Sequence, residues 1–251
     1  MKKIPEITIY FWVMKICATT LGETAGDLLS KTMNIGYAVS SIILVGFFLI
    51  TVISQLKAKK YHPWLYWLVI LSTSTAGTTM SDYMDRTLDL GYAKGSLVLI
   101  MILLAIFIIW RFSGESLSVD NIRTIKVELL YWTTILFSNT LGTALGDFLA
   151  DDSGLGFAGG ALLIGGLLII LVIATYYTKI SKVLLFWIAF VLTRPFGATM
   201  GDFLVKSHEE GGLNFGTIGS SAILGAILIV FVIYTTLKMK KTDNINDGML
   251  A

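Results

Sequence analysis

Four aspartates, Asp27, Asp82, Asp147 and Asp202, each close a segment of the form G-x-x-x-[GS]-D, and this recurrence limits the fold more than any other feature of the chain. The segments TTLGETAGD, STAGTTMSD, NTLGTALGD and RPFGATMGD align without gaps. Gly22, Gly77, Gly142 and Gly197 stand five residues before the aspartate, and Gly26, Ser81, Gly146 and Gly201 stand one before it. Fifteen residues before each aspartate is a tryptophan, Trp12, Trp67, Trp132 or Trp187, itself preceded by Phe11, Tyr66, Tyr131 or Phe186. Four of the six tryptophans in one column argue against coincidence, so the chain reads as a tandem array of one supersecondary unit. Downstream, Gly36-Tyr37, Gly91-Tyr92 and Gly156-Phe157 recur at one offset. Asn214-Phe215 aligns with them three residues later, after an insertion around His208-Glu209-Glu210.

Each unit holds two apolar stretches, and the whole chain is 55% hydrophobic and 14% charged, with a mean hydropathy of +0.77. A soluble core of 251 residues could not bury so much apolar surface, so the expected solvent is a lipid bilayer. A span needs about 20 residues. The predicted fold class is all-α and integral to the membrane, with spans near 7–27, 36–56, 64–84, 91–111, 127–147, 155–177, 182–203 and 214–237. These eight helices form one membrane domain over 1–251, with repeats at about 6–60, 61–113, 124–180 and 181–241. Two-span units keep one orientation, which predicts parallel repeats in a pseudo-fourfold bundle about the membrane normal. The polar segment 112–121 is the linker between halves. Met1-Lys2-Lys3 precedes an apolar run as in a signal peptide, but Lys15 interrupts that run and no small-residue cleavage site follows, so it reads as a retained first span.

Thirteen lysines and arginines, Lys2, Arg123 and Lys240 among them, flank the spans on the side of the termini, against Lys31, Arg86, Lys94 and Lys206 opposite. This predicts a cell-membrane protein with both termini cytoplasmic and the aspartates near the outer face. The even spans are apolar all round and suit an outer, lipid-facing ring. The odd spans turn to Ser, Thr and Gly halfway along and suit an inner one. The tryptophans, near the cytoplasmic ends of the odd spans, are expected as interfacial anchors.

This pattern resembles the bacterial family of membrane-anchored proteins made of four tandem two-span repeats, each with a tryptophan near the start of its first span. The resemblance covers nearly the whole chain; it implies the architecture and the membrane location, and no activity. Ser81 in place of glycine and the insertion in copy four depart from the pattern.

On a helix, positions eight, five, four and one before each aspartate fall on its own side. Copy one presents Thr19, Gly22, Glu23, Gly26 and Asp27; copy two Ser74, Gly77, Thr78, Ser81 and Asp82; copy three Asn139, Gly142, Thr143, Gly146 and Asp147; copy four Arg194, Gly197, Ala198, Gly201 and Asp202. The glycine spacing suits close helix packing. The aspartates with Glu23 form a candidate oxygen-ligand site for a hard divalent cation such as Mg²⁺, Mn²⁺ or Ca²⁺. Arg194, the hydroxyls and amide of Thr19, Ser74, Thr78, Asn139 and Thr143, and the neighbouring Thr20, Thr75 and Thr140 are candidates for substrate or gating roles. An intramembrane arginine needs a partner, and Glu23 is the expected one because copies one and four meet if the ring closes. Lys15 is expected to snorkel to the cytoplasmic surface. A lone Cys17 and two unpaired histidines exclude a thiolate or imidazole metal cluster, and no cofactor motif or nucleophile and base pair suggests an enzyme. Without a dense basic patch, no nucleic-acid partner is expected. The leading expectation is a cation transporter, with a carrier of a small organic solute anchored by Arg194, or a non-transporting scaffold, as alternatives.

Overall fold

Small residues at fixed intervals along the odd segments let four helices approach closely, and the chain is organised around that approach. The structure, a computed structural model, describes residues 3–122 and 124–250, excluding the side chains of residues 121, 240 and 242–250. Lys2, Arg123 and the Lys240 side chain therefore lie outside the described residues. Among these residues there are eight α-helices and no strand: α1 Ile9–Asp27, α2 Tyr37–Lys57, α3 Pro63–Asp82, α4 Tyr92–Phe112, α5 Ile125–Asp147, α6 Gly156–Tyr177, α7 Lys182–Val205 and α8 Thr217–Leu250. Helices α1, α3, α5 and α7 pack in sequence and α7 returns to α1, closing a ring. Each outer helix rests on the inner helix of the next repeat: α2 on α3, α4 on α5, α6 on α7, and α8 on α1. Ser221 Oγ donates to Thr24 Oγ1 at 2.9 Å where α8 meets α1.

The glycines explain how close the ring is. A methyl group at Gly22 would collide with Ser74, at Gly77 with Asn139, at Gly142 with Arg194 and at Gly197 with Thr19. The glycine five residues before each aspartate thus abuts the residue eight before the aspartate in the next repeat, in cyclic order. One turn higher, Gly26 meets Thr78, Gly146 meets Ala198 and Gly201 meets Glu23. At the remaining position Ser81 Oγ instead donates to the buried Asp85 carboxylate at 3.1 Å. Asp85 lies just beyond the α3 span, and burial pushes its carboxyl up to about 6.

Five helices, α2, α4, α6, α7 and α8, are long and apolar enough to cross a membrane. The outer ones bear exposed side chains such as Ile42, Ile50, Met101, Leu162 and Val230. Helices α1, α3 and α5 fall short on composition because their second halves carry the hydroxyls, glycines and carboxylates that face the ring interior.

Two expectations are corrected. The tryptophans are not interfacial anchors: Trp67, Trp132 and Trp187 are buried and Trp12 is half-buried. They pack in tilted and edge-on contacts with Phe11, Tyr66, Tyr131, Phe186 and Phe190 of their own and neighbouring inner helices at centroid distances of 5.0–6.1 Å. Burying these large rings against each other outweighs half-wet placement in a belt. Tyr66 and Tyr131 share a hydroxyl hydrogen bond of 2.7 Å, and Trp187 Nε1 donates to the linker carbonyl of Leu117. The second correction concerns the hairpin turn of copy four. In the other turns Asn34 and Asp89 (φ 56°) precede by two residues Gly36 and Gly91 at positive φ; in copy four Asn214 (φ 56°) and Gly216 play these parts. Gly216, not Asn214, is the counterpart of Gly36, since that backbone conformation favours glycine.

Candidate acidic ring and its buried ion pair

The first three inner helices do not end at their aspartates. Each runs on through a wider turn, Leu28–Thr32, Tyr83–Thr87 and Phe148–Asp152, which in copies one and two places the residue four positions later beside the carboxylate. In copy one that residue is Lys31, whose Nζ lies 2.7 Å from Asp27 and 3.6 Å from Asp82. In copy two it is Arg86, which donates to Asp82 at 2.8 Å and to Asp147 at 3.4 Å. One cation thus bridges its own aspartate and the next one round the ring. Copy three has Asp151 at this position, and it is exposed. The Asp147 to Asp202 step therefore has no bridging cation from copy three.

At that step Glu23, Asp147 and Asp202, all buried, bring one carboxylate oxygen each within 4.8 Å of one another. Asp27 and Asp82 are buried too, but are occupied by Lys31 and Arg86. The four aspartates are thus gathered at one end of the ring, Asp27 and Asp82 in close ion pairs, Asp147 at 3.4 Å from Arg86, and Asp202 in no ion pair among the described residues. Lys31 and Arg86 went unnoticed as site residues in the sequence, where they counted only as flanking charges. Their signal was the i,i+4 spacing from an aspartate.

One turn deeper, the residues four before each aspartate are Glu23, Thr78, Thr143 and Ala198. Ala198 leaves space that the Arg194 side chain fills from the layer below. Arg194 Nη2 donates to Glu23 Oε2 at 2.8 Å and to Thr78 Oγ1 and Thr143 Oγ1 at 2.6 Å each. Both hydroxyls in turn donate to Glu23 Oε2, at 3.3 and 3.2 Å. All four inner helices therefore meet at one ion pair, with Arg194 and Glu23 only 0% and 2% exposed. The pair expected between copies one and four is present.

The other candidate polar residues divide. Thr20, Thr75 and Thr140 bond to carbonyls of their own helices, so the structure does not bring them to the centre. Thr19 bonds to Ile16 and across to the Thr193 carbonyl, and Asn139 Nδ2 donates to Thr73 Oγ1. Ser74 is buried with a free hydroxyl. Lys15 does not snorkel: it is 0% exposed, its Nζ 4.1 Å from the centroid of the Phe190 ring. The side chain reaches across the ring from α1 to α7 instead.

No curated protein and no solved structure matches the chain. A family model described as Repeat of Unknown Function (DUF347) matches residues 10–61, 65–116, 130–181 and 185–240. Those four matches span the four helix pairs whose inner members build the ring, and the chain belongs to this repeat family.

Proposed function

We propose that this chain is an eight-span membrane transporter for a cation, with both termini cytoplasmic, and that Glu23, Asp147 and Asp202 hold the ion. The observation that carries this reading is the gap in charge compensation. With the Glu23–Arg194 pair neutral, Asp27 and Asp82 are held by Lys31 and Arg86, Asp147 has only the 3.4 Å reach of Arg86, and Asp202 makes no ion pair among the described residues, Lys206 four residues later lying over the Phe157 ring, so negative charge is least compensated at the Asp147 to Asp202 step. Carboxylates this close repel one another unless a cation or protons relieve them. A hard divalent ion takes oxygen ligands and supplies two charges.

The side chains of Lys31 and Arg86 are 28% and 33% exposed, so this end is within reach of solvent. At the other end the aromatic cluster closes the ring. A site open to one side and shut to the other is what a carrier in one of its two states requires. Residues three and four turns from the ion, such as Trp67 and Trp132, would have to part for release to the cytoplasmic side.

The test is uptake or efflux of Mn²⁺, Mg²⁺ and Ca²⁺ in vesicles holding the purified protein. Asp147→Asn and Asp202→Asn should each abolish most of the flux, and the double variant should lose little more, as expected of groups acting on one ion. Flux unchanged in correctly inserted single variants would leave the scaffold reading ahead. The organic-solute alternative has less support, because the Arg194 Nη2 group is taken up by Glu23 and two threonines.

A further inference from the structure

Below the ion pair the charge balance reverses. Lys15, one turn before Thr19 on α1, is fully buried, and its Nζ has no hydrogen-bond partner. The Phe190 ring, centred 4.1 Å from the ammonium, attracts it through a cation–π contact but supplies neither a hydrogen-bond acceptor nor a compensating charge. Phe190 is itself one turn before Arg194 on α7, so the Lys15 ammonium lies at the level below Arg194 in the ring. Arg194 directs only Nη2 at Glu23; its Nε and Nη1 are buried and unpartnered. The same level of the ring holds Ser74, whose hydroxyl is also buried and unpartnered. Against these donors stands one unpartnered acceptor at that level, Asn139 Oδ1.

We propose that this level is a second site, for a small monovalent anion of halide size, held by Lys15 Nζ, Arg194 Nε and Nη1, and Ser74 Oγ. Arg194 is already neutralised by Glu23, so Lys15 leaves one positive charge to balance, which sets the charge of the occupant. The layer is bounded above by Glu23, Thr78 and Thr143 and below by Ile70, Ile135 and Phe190, all buried, which limits it to an ion of a few atoms. This site is distinct from the cation site one turn above.

The experiment compares the thermal midpoint of the purified protein in sodium chloride and sodium gluconate at equal ionic strength. Gluconate is too large to enter. Each tenfold rise in chloride beyond its dissociation constant should raise the midpoint by about 3–5 °C. Bromide should substitute for chloride. Lys15→Met should lose the chloride dependence while Asp202→Asn, which disables only the cation site, should keep it. A wild-type midpoint indifferent to chloride, or an equal chloride response in Lys15→Met, overturns the proposal. If Lys15→Met does not fold, Ser74→Ala serves in its place, with a chloride response weakened severalfold expected and an unchanged one counting against the site.

Discussion

Glu23 and Arg194 depend on each other more than any other two residues in the ring. Removing one member of a buried ion pair leaves the other charge uncompensated and costs about 3–5 kcal/mol. Replacing both with apolar or neutral groups removes that penalty. Glu23→Gln and Arg194→Met should each lower the yield of folded protein in the membrane sharply, and the double variant should recover a large part of it. A double variant no better than the worse single one would mean that the two do not compensate each other. The pairing was legible in the sequence because each is the odd charge on an otherwise small and polar face. The depth of Lys15 was not legible, since snorkelling and burial across a ring depend on which face of α1 meets α7, and a single helix pattern does not specify that.

For the helices, glycine contacts set the radius of the ring. Gly77 is the tightest test, because a methyl group there would lie 2.9 Å from backbone atoms of Asn139 and Thr140, which cannot swing aside. Gly77→Ala should therefore destabilise the protein by about 1–3 kcal/mol, as overpacking does. Gly46, on the outer helix α2, has nothing within 4 Å of the added methyl, and Gly46→Ala should be neutral or slightly stabilising. Thermal denaturation of the two variants side by side checks both; equal midpoints would deny the close approach of α3 and α5. The sequence conveyed the inner and outer rings through the contrast between mixed and uniformly apolar segments. It misled on the tryptophans, because one column of aromatics suits an interfacial belt and an interior cluster equally until the ring brings the four copies face to face. The turn of copy four was misaligned for a related reason: the insertion hid an Asn-x-Gly turn equivalent to Asn34-x-Gly36 of copy one and Asp89-x-Gly91 of copy two.

At the scale of the whole molecule, fourfold repetition makes departures from it informative. Arg194 stands where the other copies have Thr19, Ser74 and Asn139, Ala198 where they have Glu23, Thr78 and Thr143, and Asp151 where they have Lys31, Arg86 and Lys206. A strictly symmetric ring would neutralise every aspartate step alike. The absence of a cation at position 151 leaves one step unbridged, and this asymmetry, not the motif itself, is the reason the proposed cation site is placed at Asp147 and Asp202. The proposed orientation rests on the charge of the flanks. A reporter fused after Ala251 should be active only in its cytoplasmic form, and activity of an exported form would place the acidic end on the cytoplasmic side.

Binding of a divalent cation to the purified wild type, to Asp202→Asn and to Asp151→Lys, followed by titration calorimetry with Mn²⁺, tests the central claim most directly. Asp151 is exposed, so lysine there should fold normally and supply the bridging charge that copy three lacks. The account predicts one saturable site per chain in the wild type, weakened at least about tenfold in both variants, since loss of one ligand or one favourable charge costs about 1.4 kcal/mol or more in a buried site. Wild-type protein that binds no Mn²⁺, Mg²⁺ or Ca²⁺, or that binds them equally well with lysine at position 151, would contradict it.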